Sequence, residues 1–183
     1  MYALAGSPCW IHNCTISVGD DHVAGHANDT LVEDCVFGFG HGVSIGSVSD
    51  GFIRNFTARR LSVTGAVQAF RIKTDQGGAG YVRDVLYDSA TLSGVGTSIV
   101  VTMYYATSNA TTTMAISNVT FSNIAAVDSG AAGSFECVPE SPCRNMQLVN
   151  VQHTGSTPKG WQCKNAHGTA VDTSPDASSC LQA

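Results

Sequence analysis

The sequence predicts an all-β protein, a right-handed parallel β-helix with a disulfide-stapled cap at its carboxyl end. Charged residues make up only 13% of the 183 residues, and glycine alone contributes 19. With many Ser, Thr, Asn and Val residues beside it, this composition favours strands and tight turns over surface helices. Short strand-like phrases also recur along the chain. They predict stacked coils that share an apolar interior, because one coil cannot bury its inward face alone.

Six phrases carry the repeat, and each places a polar Asn or Asp before an alternating stretch. These polar residues stand at positions 13, 34, 55, 84, 118 and 145. The intervals are 21, 21, 29, 34 and 27 residues, at or near the roughly 20–30 residues of one solenoid coil. A β-sandwich is the alternative, since short strands punctuated by glycine fit it too. It does not explain the recurrent phrase.

One domain is expected to span residues 1–183, because a chain of this length can bury one core and nothing in it demands two. The segment 154–183 contains Pro158, Pro175, two cysteines and many Ser and Thr residues. It is predicted to be a loop-rich cap of the same domain. The first six residues lack the basic start and the long apolar run of a signal peptide. No segment has the length and apolar character of a transmembrane helix.

The seven cysteines include no C-x-x-C pair, which favours the disulfides of a secreted protein over a zinc site. Since the number is odd, one cysteine must stay unpaired or pair elsewhere. The preferred assignment joins neighbours in sequence, Cys137 with Cys143 and Cys163 with Cys180, and leaves Cys9, Cys14 and Cys35 open.

Five Asn-x-Ser/Thr sequons fit a glycosylated extracellular protein if the chain passes through a eukaryotic secretory route. They begin at Asn13, Asn28, Asn55, Asn109 and Asn118. The formal net charge of −5 argues against sequence-independent binding to nucleic acid, which needs a basic surface. An acidic ligand would therefore need a local basic site.

Three ordered motifs in the first half of the chain carry the chemistry: Asp20-Asp21, His41 between two glycines, and Arg71-Ile72-Lys73. Paired carboxylates can supply the acid and base of a hydrolysis, and a histidine can tune them. An Arg-x-Lys pair on a strand projects both cations from one face, where they can meet one carboxylate. Together the motifs suggest cleavage of an acidic sugar polymer.

Neighbouring residues of a strand point to opposite faces. Asp20 and Asp21 can therefore share a cleft only if Gly19 and the following turn break the alternation. Four other histidines show no metal-ligand spacing and are interpreted as structural: His12, His26, His153 and His167.

The same motifs resemble successive signatures of the polygalacturonases, glycoside hydrolase family 28. They are Gly19-Asp20-Asp21, the stretch 39–47 (FGHGVSIGS) and the stretch 70–74 (FRIKT). The similarity extends across most of the chain and includes the stretch 98–105, in which Tyr105 matches the substrate-site tyrosine of the family. The resemblance implies a right-handed parallel β-helix that hydrolyses α-1,4-linked galacturonan with inversion.

The resemblance also implies a role for each matched residue. Asp20 would be the general acid, Asp21 a carboxylate that activates water, and His41 a support for both. Arg71, Lys73 and Tyr105 would bind galacturonate. Inversion needs room for a water molecule, which implies carboxyl groups roughly 6.5–9.5 Å apart. No metal or other cofactor is required, the partner would be polygalacturonate or pectin, and we expect a monomer that binds neither nucleic acid nor membrane.

The sequence departs from the family pattern in places. The family's Asn-Thr-Asp motif, expected about one coil before Asp20, does not occur, while His22 stands where many relatives have Cys and Met103 where Gln is common. We therefore expect a chain that lacks N-terminal coils and has little or no hydrolase activity. We also expect a secreted protein, although this sequence shows no signal peptide. A non-catalytic module that binds acidic glycan and a calcium-dependent pectate lyase are the alternatives.

Overall fold

The computed structural model describes residues 2–3, 8–75, 78–105, 113–156 and 158–182. Over these residues the chain forms the predicted all-β, right-handed parallel β-helix, in which the chain passes back and forth between two sheets. All neighbouring strands of both sheets run parallel. The fold class predicted from the repeat is therefore confirmed.

The two sheets run side by side along the whole solenoid. Sheet A contains seven strands: β1 (Tyr2–Ala3), β4 (Val23–Gly25), β7 (Val43–Val48), β9 (Gln68–Thr74), β11 (Thr97–Thr102), β13 (Ala131–Glu136) and β15 (Lys159–Lys164). Sheet B contains nine: β2 (Cys9–His12), β3 (Thr15–Ile16), β5 (Thr30–Glu33), β6 (Val36–Phe37), β8 (Gly51–Thr64), β10 (Ala79–Ser93), β12 (Thr113–Val127), β14 (Cys143–Thr154) and β16 (Ala166–Ser174).

The core is a single cluster of inward-facing side chains that runs through the stacked coils. Tyr87 and Phe121 occupy one interior level of neighbouring sheet B strands, with rings 5.1 Å apart and nearly parallel. Phe56, two residues away in register on β8, has its ring 5.9 Å from Tyr87. Phe70 closes the gap to sheet A, 4.8 Å from Tyr87. The alternation of strand residues thus places one apolar set inside every coil, and large rings fill the space between the sheets.

The Asn and Asp residues of the repeat turn the corners of the coils. At the six phrase positions φ lies between 51° and 57°, a left-handed conformation that Asn and Asp tolerate better than most residues. Their amides bond from coil to coil: Asn118 donates to Asp84, and Asn145 to Asn118, both at 2.9 Å. The repeat in the sequence is therefore a column of corner residues.

The structure contains two such columns, and this corrects the predicted spacing. Positions 29, 55, 84, 118 and 145 form one column, whereas 13, 34, 60, 89, 123, 150 and 172 form the other. The predicted coil of 21 residues from Asp34 to Asn55 is wrong. Asn55 bonds to Asp29 and Arg60 to Asp34, each across 26 residues. Asn and Asp occupy two different corners of each coil, so the interval from Asp34 to Asn55 joins residues of different columns and does not measure a coil.

Both predicted disulfides are confirmed, Cys137–Cys143 and Cys163–Cys180. The predicted loop-rich cap is wrong in part, because β15 and β16 form a further coil that pairs in register with β13 and β14. Only the residues after β16 fold back as a loop. Leu181 is buried there, and its carbonyl oxygen accepts a hydrogen bond from the Gly168 amide at 2.8 Å.

Two predicted features lie outside the described residues: the sequon at Asn109 and most of the first six residues. A search of the described segments finds no helix with the length and hydropathy needed to cross a bilayer. The extent of the domain, 1–183, and the monomeric state stay predictions.

Candidate active site

Three consecutive strands of sheet A bring the motifs together. Asp20 and Asp21 lie in the loop before β4, His41 lies in the loop before β7, and Arg71 and Lys73 lie on β9. Because β4, β7 and β9 are neighbours in the sheet, the sequence motifs become spatial neighbours. The backbone also links the two loops, since the His41 amide donates to the Asp20 carbonyl at 2.9 Å.

Glycine is required where the second loop enters β7. Gly42 has φ +93°, and a Cβ atom there would collide with the backbone carbonyl groups of Gln68 and Ala69 on β9. Only a residue without a side chain allows this close approach. Gly42 thus lets the His41 loop lie against the strand that carries the cations.

Asp20 is the exposed carboxylate of the site. Its side chain is 83% exposed, and one oxygen lies 3.3 Å from His41 Nδ1. The Asp21 amide donates to the same carboxylate at 2.7 Å. This backbone hydrogen bond, followed by the charge and hydrogen bond of His41, lowers the pKa of Asp20, because both favour the ionised form.

Asp21 is the buried carboxylate, with a side chain only 9% exposed. Lys73 Nζ lies 2.7 Å from Oδ2, and the Ser44 hydroxyl donates to Oδ1 at 2.9 Å. Arg71 adds a longer contact, 3.7 Å from Nη2 to Oδ1. Asp20 and Asp21 lie in the irregular chain before β4 and line one depression, so they share a cleft.

Arg71 and Lys73 project from the outer face of β9, and Ile72 between them is fully buried in the core. This is the predicted alternation. Gln68 accepts a hydrogen bond from Arg71 Nη1 at 2.9 Å, while the buried Nη2 has no hydrogen-bond partner among the described residues. A buried donor without an acceptor is costly, and the Asp21 carboxylate, 3.7 Å away, is the charge that faces Nη2.

Tyr105 covers the two cations. Its ring centroid lies 4.7 Å from Lys73 Nζ and 5.5 Å from Arg71 Cζ, and the residue is 49% exposed. Such cation–π contacts hold an aromatic face beside the charges. All six residues predicted for the site therefore lie together: Asp20, Asp21, His41, Arg71, Lys73 and Tyr105.

A depression of about 190 Å³ contains the chemical groups. Four of the predicted site residues line it, together with residues that the motifs did not single out: Asp20, Asp21, Lys73 and Tyr105 with Ala24, His26, Gly46 and Ser47. A larger depression of about 490 Å³ lies further along sheet A, around Thr97, Ser134 and Gln162. It has no carboxylate in its lining, so the smaller depression is the candidate active site.

Sequence reasoning missed two residues of the site, Ser44 and His26. Ser44 hydrogen-bonds Asp21, and its signal was its place in the same glycine-rich stretch as His41, one outward position into β7. His26 was interpreted as structural. It lines the depression, and burial, followed by the Lys73 charge, lowers its pKa.

His22 was noted because many relatives have Cys at this position. Here it is fully buried, and its ring stacks on Phe37 with centroids 5.0 Å apart. This aromatic contact connects the loop before β4 to β6.

The three cysteines left open by the sequence, Cys9, Cys14 and Cys35, are free thiols.

One group of donors among the described residues has the spacing for a metal ion. An atom of Asp20, one of Asp21 and one of His41 all lie within 4.8 Å of one another. Lys73 and Arg71 already supply positive charge to Asp21, which weakens the case for a cation there. The same distance bears on the mechanism, since the nearest oxygens of the two carboxylates are closer than the roughly 6.5–9.5 Å predicted.

Fold and site together define a parallel β-helical protein with the paired carboxylates expected of a glycoside hydrolase. The profile described as "Glycosyl hydrolases family 28" matches residues 6–180. The chain therefore belongs to glycosyl hydrolase family 28, and the resemblance found in the motifs is confirmed.

Curated relatives agree with this assignment. A polygalacturonase of Juniperus ashei is 33% identical over 93% of this chain and 36% of its own length. A probable polygalacturonase of Arabidopsis thaliana is 30% identical over 87% of this chain and 39% of its own. The chain thus spans about two fifths of the length of these relatives.

Solved structures show the same fold. Endopolygalacturonase I from Stereum purpureum, complexed with two galacturonate, matches with a TM-score of 0.75 and 25% identity, over 90% of this chain and 52% of that one. A hyperthermoactive exopolygalacturonase from Thermotoga maritima matches with a TM-score of 0.83 over 94% and 43% of the two chains. At 18% identity, the second match concerns the fold alone.

Proposed function

We propose that the chain carries the active site of a polygalacturonase, which hydrolyses α-1,4-galacturonosyl linkages of polygalacturonate or pectin. One observation carries the proposal: the exposed Asp20–His41 pair stands beside a carboxylate, Asp21, that two cations hold in place. Membership in family 28 and the printed names of the relatives support the substrate class.

In the proposed reaction Asp20 protonates the glycosidic oxygen while the bond from that oxygen to the anomeric carbon breaks. Asp21 takes a proton from the water that attacks the anomeric carbon, so each product gains one part of a water molecule. His41 is a positioning residue, because it contacts Asp20 and holds its orientation. No step needs a metal ion.

The cations and Tyr105 would bind the substrate. Arg71 faces Asp21 through its buried Nη2, and its guanidinium group suits a galacturonate carboxylate that enters beside Lys73. Lys73 holds Asp21 through one of three donor protons and can direct another to the sugar. The half-exposed ring of Tyr105 offers a face for packing against the sugar.

A general acid must hold a proton, yet the pKa of Asp20 in the free protein is lowered by the Asp21 amide and by His41. An anionic sugar would reverse this effect in two ways. It would shield Asp20 from water and bring a negative charge near it, and both changes favour the protonated carboxyl group. We therefore propose that the substrate itself raises the pKa of its acid.

Release of reducing ends from polygalacturonate at mildly acidic pH tests the proposal. Because the Asn-Thr-Asp motif does not occur in this sequence, we expect a low rate from the wild-type chain, and each variant is compared with that rate. Asp20→Asn should lower kcat at least ~100-fold, since it removes the proton donor. Asp176→Asn is a matched control, because Asp176 is also exposed and also has a pKa lowered by a backbone amide, that of Ser178. It should leave kcat unchanged.

Other products would indicate other functions. Unsaturated, calcium-dependent product would indicate a lyase. Binding without any product, unchanged by Asp20→Asn and Asp21→Asn, would indicate a glycan-binding module. The anomer formed first, followed by NMR, tests inversion directly, which matters because the nearest carboxylate oxygens are within 4.8 Å. We also propose an extracellular or cell-wall location, supported by the two disulfides.

A further inference from the structure

A column of arginines lies on the outer face of sheet B. Arg54, Arg83, Ser117 and Arg144 stand at one register position in β8, β10, β12 and β14. The preceding strand residues face the core, as the burial of Val82 shows, so the column faces outward. It contains three of the nine Lys and Arg residues of a chain whose net charge is −5.

The column is short of countercharge. Elsewhere the arginines of β8 and β9 are paired: Arg59 and Arg60 contact Glu33, and Arg71 contacts Asp21.

By contrast, among the described residues no carboxylate oxygen lies within 4.0 Å of Arg54 or Arg144. Arg83 has one such contact, 3.5 Å from Nε to Asp84. Neighbouring cations without partners repel one another, and an external polyanion would relieve the repulsion.

An aromatic pair lies two residues before the first two arginines, on the same face. Phe52 and Tyr81 are register partners, with ring centroids 5.0 Å apart. Phe52 is 64% exposed, and the Arg83 guanidinium lies 4.4 Å from the Tyr81 ring centroid. An exposed ring can pack against a sugar face, and guanidinium groups recognise carboxylates.

The aromatic pair and the arginine column together form a strip on the outer face of sheet B, and depressions adjoin both of its ends. One of about 210 Å³ is lined by Phe52 and His26, and His26 also lines the catalytic depression. Another of about 300 Å³ is lined by Ser117 and Arg144, together with Glu140. Three strand spacings of ~4.8 Å give the column a length of about 14 Å, enough for an extended ligand.

We propose that Phe52, Tyr81, Arg54 and Arg83 form a second, non-catalytic binding site for an acidic polysaccharide. Uronate carboxylates bind Arg54 and Arg83, and a sugar ring packs against the aromatic pair. The identity of the polymer rests on the proposed function. The site anchors polymer beside the catalytic depression and takes no part in bond cleavage.

Affinity electrophoresis through gels that contain polygalacturonate tests this site. Every protein carries Asp20→Asn, so that the polymer is not cut during the run. Arg54→Gln with Arg83→Gln should weaken binding about tenfold or more, since each arginine loses a charge-assisted hydrogen bond. Phe52→Ala should weaken it by a smaller factor.

The control is Arg60→Gln combined with Lys159→Gln, which removes the same two charges away from the strip. This pair should change binding less than about twofold, because Arg60 is already neutralised by Glu33 and Asp34. Urea unfolding midpoints of all variants confirm that they fold. Equal retardation of the strip variant and the control would overturn the proposal, as would equally tight binding of the wild-type strip to dextran sulfate or duplex DNA.

Kinetics separate this site from the catalytic one. Arg54→Gln with Arg83→Gln, made without Asp20→Asn, should show a higher KM for the polymer than the wild type and the same kcat. It should cleave a galacturonate trimer as the wild type does. A fall in kcat on the trimer would overturn the anchoring role. Absence of product from the wild-type chain would refute the proposed hydrolysis without altering the gel result, so the two failures are distinguishable.

Discussion

Strands β9 and β11 are adjacent in sheet A, and only β9 carries the charges of the site. Arg71 and Lys73 of β9 pair in register with Val100 and Thr102 of β11. Both strands present these positions on the outer face. The difference lies in what stands opposite, because the loop before β4 brings the carboxylate of Asp21 over β9. A solenoid has equivalent outer positions in every coil. Only where a loop from a neighbouring coil brings a carboxylate over such a position do the charged groups of the site come together.

The first and last coils of the molecule differ in regularity and in covalent linkage. In the last coils, disulfides Cys137–Cys143 and Cys163–Cys180 fasten regular strands. In the first coils the cysteines are thiols, and the strands are short and separated by loops. Regular coils supply stability, whereas irregular coils position the carboxylates. Each prediction below tests one side of this contrast.

Lys73→Met should have the largest effect. It leaves Asp21, 9% exposed, with only the longer Arg71 contact and the Ser44 hydroxyl, and breaking a buried ion pair costs about 3–5 kcal/mol. The matched control is Lys164→Met on β15, at the same register position two strands beyond β11. Lys164 is exposed, has no ion pair among the described residues and stacks its ammonium group on the Tyr104 ring at 4.4 Å, so its loss should cost less than about 1 kcal/mol.

Urea unfolding of both variants gives the comparison directly. Equal losses for Lys73→Met and Lys164→Met would contradict the view that the loop over β9 makes this position special. Polygalacturonate hydrolysis should fall with Lys73→Met alone.

Cys180→Ser should have the next largest effect, about 2–4 kcal/mol, because it removes a native disulfide. The bridge closes a loop with a sequence separation of 17 and holds the last turn over the end of the core. Cys9→Ser is the control, since Cys9 is a thiol in the first coils. Thermal unfolding should show a lower midpoint for Cys180→Ser alone, and a comparable fall for Cys9→Ser would refute the contrast between the two ends.

Much of the fold could be predicted because strand periodicity and corner chemistry are local properties. The Asn and Asp phrases reported real corners, as the positive φ of Asn55 and Asn118 shows. The phrases could not show which of the two corners of a coil each residue occupies, because the same residue types are found at both corners. The register between Asp34 and Asn55 failed for this reason, since only the packed core decides which phrases stack.

The site was predictable to the extent that its residues are chemically distinctive. Asp20, Asp21 and His41 stand out in any sequence, whereas Ser44 and His26 do not. A serine in a strand has many uses, and its bond to Asp21 depends on the distance between β7 and the loop before β4. The arginine column was present in the repeat itself, in Arg54-Asn55 and Arg83-Asp84, yet its alignment needs the register.

Ser44→Ala should have a smaller effect than the loss of a disulfide. It removes the hydroxyl that donates to Asp21 Oδ1 at 2.9 Å, and a hydrogen bond to a charged group contributes about 1.5–3 kcal/mol. Ser44 is a positioning residue, so kcat should fall while KM changes little, and Ser44→Thr should restore part of kcat. Ser134→Ala, at the equivalent position of β13, is the control. Equal kcat values for the two alanine variants would exclude a positioning role.

The smallest effect concerns His153, in the regular coils. Its Nδ1–H donates to the Ser174 carbonyl, and its Nε2 accepts from the buried Ser98 hydroxyl, both at 2.9 Å. Burial lowers the pKa of His153, so the unfolded chain binds this proton more readily than the folded one. Its contribution to stability is therefore complete above pH ~6.5, and it is lost as the pH falls from there through the folded pKa, by at most about 1.4 kcal/mol per pH unit.

Urea unfolding between pH 7.5 and pH 4.5, chosen as roughly bracketing the histidine range, measures this slope. His153→Gln keeps one hydrogen-bonding group in place and has no titrating proton, so its stability should depend less on pH than that of the wild type. His167→Gln is the control, because His167 is in the same last coils and is not buried. Parallel curves for His153→Gln and the wild type would show that a buried histidine of the regular coils has no part in acid sensitivity, and would direct the search to His22 and His26 beside the site.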